Sequence, residues 1–300
     1  MTSVEAATRR VFLAAGAAVA VPLKANDASA QKPAAIERPR LLEGKVAVIY
    51  GAAGAIGSVV SRAFARDGAH VELAGRTLEK VQALAAEISA AGGSAGFAKV
   101  DALNRDSVEK HLEAIVAARG HLDVTFNLIS VPGMQGQSLA TMAPDSFAEP
   151  IDYGVRTHFL TATAAARHMA KRHAGVVLAL TAQVARKPYV GSGGFGVACA
   201  AIEGLCRQLA VDLGGDGIRV VALRSSGSPD APGVSAAIAE HARLAGVSRE
   251  VFETRIAEKT MLRRMPRMAE IASAAVLVAS DRASAITAAV MNITCGEIAD

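Results

Sequence analysis

Seven residues, GAAGAIG at Gly51–Gly57, constrain the fold of this 300-residue chain more than any other stretch. They follow a short apolar run, KVAVIY at 45–50, and precede a stretch with helical spacing, SVVSRAFARDG at 58–68. A strand, a glycine turn and a helix in this order direct backbone N–H groups and the positive end of a helix to one point, where a pyrophosphate can bind. The sequence therefore predicts a nucleotide-binding βα unit. The alternative is an ordinary turn between a strand and a helix.

Strand and helix patterns continue to alternate to the end of the chain. The predicted elements are, in order, helix 78–91, strand 95–100, helix 106–118, strand 122–130, helix 150–172, strand 175–181, helix 193–213, strand 218–224, two further helices and strand 288–294. Strands that alternate with helices form βαβ units, whose parallel strands are covered by helices on both faces. No internal repeat interrupts the pattern. Residues 44–300 are therefore predicted to form a single α/β domain with a doubly wound parallel sheet.

The end of the second predicted strand indicates which dinucleotide the site prefers. The strand HVELAG, at 70–75, ends without an acidic residue that would bind a free ribose 2′-hydroxyl. Arg76 follows instead, and a guanidinium can meet a 2′-phosphate with paired, charge-assisted hydrogen bonds. We therefore expect NADP(H) rather than NAD(H). The alternative is a solvated loop arginine.

Charge and composition argue against two other classes of site. The 32 basic and 28 acidic residues are spread along the chain, which has three Tyr and no Trp, so a basic nucleic-acid surface with stacking aromatics is not expected. Cys199, Cys206 and Cys295 show no ligand spacing, which argues against a metal site and against a disulfide framework. The expected partners are a nicotinamide dinucleotide and a small molecule whose identity the sequence does not reveal.

The first thirty residues differ from the rest of the chain. Arg9 and Arg10 precede an apolar run, Val11–Leu23, and the small residues ASA end this segment at Ala30. The run is shorter than the ~18 residues expected of a membrane span, so no stable span is predicted. The segment resembles a twin-arginine signal peptide, which would place the protein in the periplasm. Residues 31–43 would be a linker, and the alternative for the segment is an amphipathic helix.

Over residues 44–297 the sequence resembles the short-chain dehydrogenase/reductase family. The matching motifs are GAAGAIG, AGR at 74–76, Asp101 after the third strand, LDVTFN at 122–127, AAIEGLCRQLAVDLGGDGIRV at 200–220 and NITCG at 292–296. The resemblance implies a Rossmann-type fold, a nicotinamide cofactor, and a homodimer or homotetramer that uses the two long helices. It also assigns candidate cofactor-binding residues: Gly51, Gly54, Ala55, Ile56 and Gly57 at the diphosphate, Arg76 at the adenosine phosphate, Asp101 at the adenine, and Asn127 at the cofactor-side turn.

The chain departs from the family at the positions that carry the chemistry. By resemblance, the reactive tyrosine and lysine fall on Phe195 and Cys199, the serine on Ala182 and the helix asparagine on Gly154. Carbonyl reduction needs a proton for the developing alkoxide, and a phenol beside an ammonium supplies it because the positive charge lowers the phenol's pKa. Phe195 has no proton to give, and losing a general acid costs about 10²–10⁴ in rate. The usual hydride-transfer chemistry is therefore expected to be lost or strongly altered.

Three hypotheses remain open from the sequence. The first is a pseudoenzyme that binds NADP(H). The second is an active oxidoreductase that holds its cofactor tightly and uses another proton donor, for which Tyr189 is the candidate, with Tyr153 and His158 beside Gly154 as lesser ones. The third is a scaffold without cofactor. The segment from Ser225 to Met265 is predicted to cover the substrate.

Overall fold

The computed structural model describes residues 39–133 and 135–300; the predicted signal peptide and most of the predicted linker lie outside the described residues. The strands in this part of the chain are β1 (Val46–Tyr50), β2 (His70–Gly75), β3 (Ser94–Lys99), β4 (Val124–Asn127), β5 (Gly175–Ala182), β6 (Ile218–Ser225) and β7 (Ala289–Ile293). The α-helices are α1 (Ala55–Arg66), α2 (Leu78–Ala90), α3 (Arg105–Arg119), α4 (Pro144–Met169), α5 (Gly193–Leu213), α6 (Pro232–Leu244), α7 (Arg249–Glu258) and α8 (Met268–Ala279).

The strands form one parallel sheet in the order β3-β2-β1-β4-β5-β6-β7. The chain moves outward from β1 in one direction and then, from β4 onward, in the other. This is the predicted doubly wound α/β fold, and the prediction is confirmed. Because every strand is parallel, the carboxyl ends of all seven meet at one edge of the sheet. In such sheets ligands bind at this edge, near the place where the strand order reverses, here between β1 and β4.

Helices cover both faces of the sheet, and each face has its own apolar core. On one face, residues of α1, α2 and α8 pack against the sheet, with the fully buried Phe64 of α1 among them. On the other face, residues of α3, α4 and α5 do so. Alternation along the strands directs successive side chains to opposite faces, so Ile49 enters the first core and Tyr50 the second. Leu42, inside the segment predicted as linker, is fully buried in the first core.

Several element boundaries differ from those expected. Helix α4 begins at Pro144 rather than Pro150, so Pro150 lies inside the helix, where its ring replaces one N–H donor. Strand β4 is only four residues long, and three helices rather than two separate β6 from β7. Helix α1 begins at Ala55, earlier than the apolar spacing indicated. The glycine-rich stretch therefore supplies the first turn of the helix as well as the turn before it.

Helix α5 is the one described helix whose length and apolar character, extended through the turn to Asp216, would suffice to cross a membrane. It packs within the domain, against α4 on one side and β5 and β6 beneath. Its buried residues include Cys199, Ile202 and Cys206. Its apolar character is accounted for by this place in the core.

Candidate functional site

The glycine turn joins β1 to α1 at the carboxyl edge of the sheet. Gly51 has φ +71°, and the amides of Gly51 and Ala52 donate to the Ala74 carbonyl of β2 at 2.9 and 3.3 Å. A Cβ on Gly51 would lie 2.8 Å from the Leu128 carbonyl group, and one on Gly57 would collide with the Gly51 carbonyl oxygen. The turn therefore brings three backbone segments together more closely than any side chain would permit.

The first turn of α1 presents unpaired backbone donors. Its first helical hydrogen bond runs from the Ser58 amide to the Gly54 carbonyl, at 2.9 Å, so the amides of Ala55, Ile56 and Gly57 have no partner within the helix. No acidic side chain lies in this turn, and Gly54 offers no side-chain cap. The positive end of the helix dipole is therefore available to an anion.

Three further predicted cofactor residues follow neighbouring strands at the same edge. Arg76 comes directly after β2 and is exposed. Asp101 lies just after β3, where one carboxylate oxygen accepts from the Leu103 amide at 3.0 Å. Asn127 ends β4 and is buried; its side chain accepts from the Ile129 amide at 3.0 Å and donates to Thr161 Oγ1 at 3.2 Å. Asn127 therefore joins the turn after β4 to helix α4.

The four positions assigned to the family's catalytic residues lie at the end of β5, in the middle of α4 and in the first two turns of α5. Ala182 ends β5, and its backbone lies close enough to the Cys199 thiol of α5 to lower the pKa of that thiol, although burial outweighs this effect. Phe195 precedes Cys199 by one turn of the same helix. Gly154 of α4 packs against α5, since a Cβ there would lie 3.1 Å from Val131 and 3.4 Å from Ile202. Burial raises the pKa of the Cys199 thiol to about 11, so none of the four positions offers an acid or a base suited to neutral pH.

Tyr189 lies on the loop between β5 and α5. Its hydroxyl donates to Gln135 Oε1 at 3.0 Å, which links this loop to the one that follows β4. Burial raises the pKa of the phenol, and the nearby Cys199 thiol and Glu297 carboxylate add to this effect. Tyr189 is therefore a neutral phenol in the neighbourhood of the Cys199 position.

Two other polar residues near these four positions are held by buried contacts. Thr181 donates to Glu203 Oε1 of α5 at 2.9 Å. His158 points into the core, with Nδ1 2.7 Å from the Gly154 carbonyl oxygen that it bonds. His158 is therefore not placed to act as a substitute donor, whereas Tyr189 lies near Cys199.

A buried ionic network lies beneath the site, and the sequence patterns did not indicate it. Arg224 of β6 donates from Nε and Nη2 to the two carboxylate oxygens of Glu203 on α5, at 2.8 and 2.7 Å. Its Nη1 donates to Asp300 at 2.5 Å. The side chains of Arg224 and Glu203 are only 4% and 6% exposed. The one signal of this network in the sequence was the position of Arg224, a charged residue near the end of the otherwise apolar strand IRVVALRS.

Burial affects the protonation of His158. It lowers the pKa of this imidazole to about 4, even though the bond to Gly154 favours the charged form. Between pH 6.5 and 4 the unfolded chain therefore takes up a proton that the folded chain does not. We expect the free energy of unfolding to fall across this window as the pH is lowered, by up to about 3 kcal/mol from this group.

Urea denaturation at several pH values in this window measures the effect. Because burial also lowers the pKa of His111, the natural chain is compared with a His158→Leu variant, which should lose the His158 share of the pH dependence. The control is His173→Asn, since His173 is exposed and asparagine tolerates its φ of +49°. An unchanged pH dependence in His158→Leu would contradict the assignment.

No group of three or more His, Cys, Asp or Glu side chains within residues 39–133 and 135–300 is arranged to hold a metal ion.

The family model described as Enoyl-(Acyl carrier protein) reductase matches residues 51–297 of the chain. The chain is 30% identical over 184 residues to glycine betaine reductase ATRR of Emericella nidulans, which covers 61% of this chain but only 14% of that protein. It is 26% identical to the 7alpha-hydroxysteroid dehydrogenase of Escherichia coli, over 86% of this chain and 95% of the relative.

Solved structures agree on the fold. An NAD⁺-bound xylitol dehydrogenase superposes with a TM-score of 0.79 at 21% identity, over 85% of this chain and 99% of that one. A gluconate 5-dehydrogenase from Burkholderia cenocepacia, in complex with NADP and tartrate, superposes with a TM-score of 0.76 at 22% identity, over 86% and 97%. With the family model covering most of the described fold, the chain belongs to the short-chain dehydrogenase/reductase family of oxidoreductases.

Proposed function

We propose that this chain binds NADP(H) and has lost the usual proton-transfer chemistry of its family. The proposal rests on a contrast between two parts of the site at the carboxyl edge of the sheet, the glycine turn and the catalytic positions. The glycine turn keeps close backbone contacts and free amides, whereas Ala182, Phe195, Cys199 and Gly154 hold no group that donates a proton near neutral pH. The protein would then serve as a binding or sensing module.

The residues at the edge fit a nicotinamide dinucleotide. The amides of Ala55, Ile56 and Gly57 suit a diphosphate, and Asp101 stands beyond β3, on the side where an adenosine would extend. The two solved neighbours named above carry NAD⁺ and NADP respectively, so the fold alone does not select between them. The exposed guanidinium of Arg76 favours NADP(H), because it can pair with a 2′-phosphate.

Removing Arg76 tests the cofactor preference. We expect Arg76→Ala to weaken NADPH binding about tenfold or more and to leave NADH binding unchanged, since a hydrogen bond to a charged group contributes about 1.5–3 kcal/mol. Nicotinamide fluorescence reports both titrations without interference from Trp, which the chain lacks. Arg66→Ala, at the opposite end of α1, is the matched control. If the natural chain binds neither nucleotide, or binds NADH better, the NADP(H) proposal fails.

Restoring the family residues tests the loss of chemistry. Phe195→Tyr, Cys199→Lys and Ala182→Ser together should raise NADPH-dependent reduction of a carbonyl panel by about a hundredfold or more, because a general acid contributes about 10²–10⁴. Gly154→Asn is added second, since its side chain must displace Val131. Circular dichroism and NADPH binding check that the restored chain folds. Equal activity in the natural and restored chains would contradict the proposal.

An active enzyme with another donor is the second candidate, and the position of Tyr189 favours it. The phenol lies near Cys199 and Glu297, and its hydroxyl is held by Gln135. If the natural chain reduces carbonyls, Tyr189→Phe should remove that activity. A scaffold without cofactor, the third hypothesis, gains no support from the close-packed glycine turn.

Export and assembly are part of the proposal. We infer from Arg9, Arg10 and the apolar run after them that residues 1–30 direct twin-arginine export to the periplasm, that residues 31–43 link this segment to the domain, and that the cofactor is loaded before export. We also infer a homodimer or homotetramer built on α4 and α5. In support, an open apolar groove runs along α4, lined by Phe147, Ile151, Val155 and the half-exposed Phe159.

A further inference from the structure

Two exposed segments lie side by side at the carboxyl edge of the sheet, next to the candidate site. They are residues 186–190, on the loop before α5, and residues 259–267, between α7 and α8; together we call them the basic rim. The segment around Glu297 joins them. Lys187 Nζ lies 3.6 Å from Glu297 Oε1, and the Met261 amide donates to the Gly296 carbonyl at 3.2 Å. The basic rim is therefore one surface, although its two parts are far apart in sequence.

The basic rim carries a net positive charge. Six cations compare with four nearby carboxylates: Arg186, Lys187, Lys259, Arg263, Arg264 and Arg267 with Asp230, which accepts from the Met268 amide, Glu258, Glu270 and Glu297. Two of the carboxylates are engaged, Glu270 by Arg264 and Glu297 by Lys187. In the part of the chain that the structure describes, Arg186, Lys259 and Arg263 form no ion pair with a carboxylate; the Arg263 guanidinium bonds only the Glu258 backbone carbonyl.

Large aliphatic side chains project from the same surface. Val190, Met261 and Leu262 are 97%, 69% and 61% exposed, which places them among the most exposed large apolar residues of the described chain. Arg263, beside Leu262, has φ +54°, an uncommon backbone conformation for a residue with a side chain. Apolar side chains surrounded by polar ones typically mark a place where a partner binds.

We propose that the basic rim docks the protein onto an anionic lipid surface. Cations clustered beside a membrane are attracted to anionic headgroups, and aliphatic side chains among them can enter the boundary with the acyl chains. A nucleic acid fits less well, because the exposed apolar side chains at 190, 261 and 262 are aliphatic and cannot stack on bases. In this orientation the edge of the sheet that holds the glycine turn, Ala182 and Phe195 faces the lipid.

Vesicle sedimentation tests this docking directly. The full chain and residues 31–300 are both used, because the first thirty residues include an apolar run and the described fold consists of residues 39–300 only. Both should bind vesicles of phosphatidylglycerol mixed with phosphatidylcholine, bind vesicles of phosphatidylcholine alone far less, and lose affinity as salt is raised. If residues 31–300 do not bind the anionic vesicles, the proposal is overturned.

Variants separate the contribution of the cations to vesicle binding from that of the exposed apolar side chains. Lys259→Gln with Arg263→Gln should weaken binding about 25-fold, since each cation near the surface contributes about fivefold. Met261→Ser with Leu262→Ser should weaken it about tenfold or more through lost apolar burial. The matched controls are Lys110→Gln with Lys171→Gln, and Val211→Ser, which change exposed residues outside the basic rim. Equal losses in rim and control variants would overturn the proposal.

Two further measurements separate lipid docking from cofactor binding and from self-association. NADPH titration should be unchanged in the rim variants, so a failure of docking and a failure of cofactor binding can be told apart. Analytical ultracentrifugation should likewise give the same mass for the natural chain and the rim variants. If Met261→Ser with Leu262→Ser instead dissociates an oligomer, the surface is an interface between copies of this chain and the lipid proposal is wrong.

Discussion

Replacing Gly57 with alanine should abolish dinucleotide binding, with a loss of affinity of about a hundredfold or more. Gly57 is in the first turn of α1, where helix propensity alone would favour alanine by about 1 kcal/mol. The new Cβ, however, would collide with the Gly51 carbonyl oxygen and lie 2.9 Å from the Ala52 carbonyl oxygen. Both obstacles are backbone atoms of the turn itself, so they can move away only if the turn opens. Opening the turn redirects the amides expected to bind the diphosphate.

NADPH fluorescence titration measures this loss, and urea denaturation measures the accompanying change in stability. Gly214→Ala is the matched control. Gly214 follows α5, and nothing lies within 4 Å of its added Cβ. That variant should bind and unfold like the natural chain. Normal NADPH affinity in Gly57→Ala would show that the close approach between the helix and the turn is not needed for binding.

The second large effect is expected at Arg224. Arg224→Ala should lower the free energy of unfolding by about 3–5 kcal/mol, because it leaves the Glu203 carboxylate buried without its partner. The change also frees Asp300, so the C-terminal residues lose their tie to β6. The salt bridges to Glu203 and Asp300 raise the pKa of the guanidinium further above its ordinary value, so Arg224 stays charged at any ordinary pH.

Urea denaturation of three variants makes this prediction specific. The exposed pair of Arg264 and Glu270 is the control, and Arg264→Ala should leave the free energy of unfolding nearly unchanged because solvent screens the charges. Replacing both buried partners, Arg224→Leu with Glu203→Met, should recover most of the stability, since no uncompensated charge remains. A cost below about 1 kcal/mol for Arg224→Ala would mean that water reaches Glu203.

The fold was largely predictable because its signals are local. The apolar runs KVAVIY and GVVLALT, and the apolar spacing of the helix from Gly193 to Leu213, each arise within one element. Boundaries were less predictable where packing overrides local preference. Helix α4 continues through Pro150 because the preceding residues 144–149 are held against α5, where Gly194 packs against the Phe147 backbone. A proline is a strong local signal, but here the tertiary contact outweighs it.

The candidate site likewise has features that could be predicted from the sequence and features that could not. The glycine turn and Arg76 could be located from sequence because each follows directly from a strand end, and parallel strands end at a common edge. The contact between the Ala182 backbone and the Cys199 thiol, and the bond between Tyr189 and Gln135, join residues from separate loops and helices. No spacing along the chain encodes them.

The amino-acid sequence by itself determined the order of strands and helices, the family, and the absence of a phenol and an ammonium at Phe195 and Cys199. These depend on residue type and on periodicity within single elements. Only the tertiary structure decided that Arg224 meets Glu203 and Asp300, and that residues 186–190 and 259–267 form one cationic surface. Such pairings depend on how whole helices and loops pack against the sheet, because packing brings together side chains that no local pattern connects.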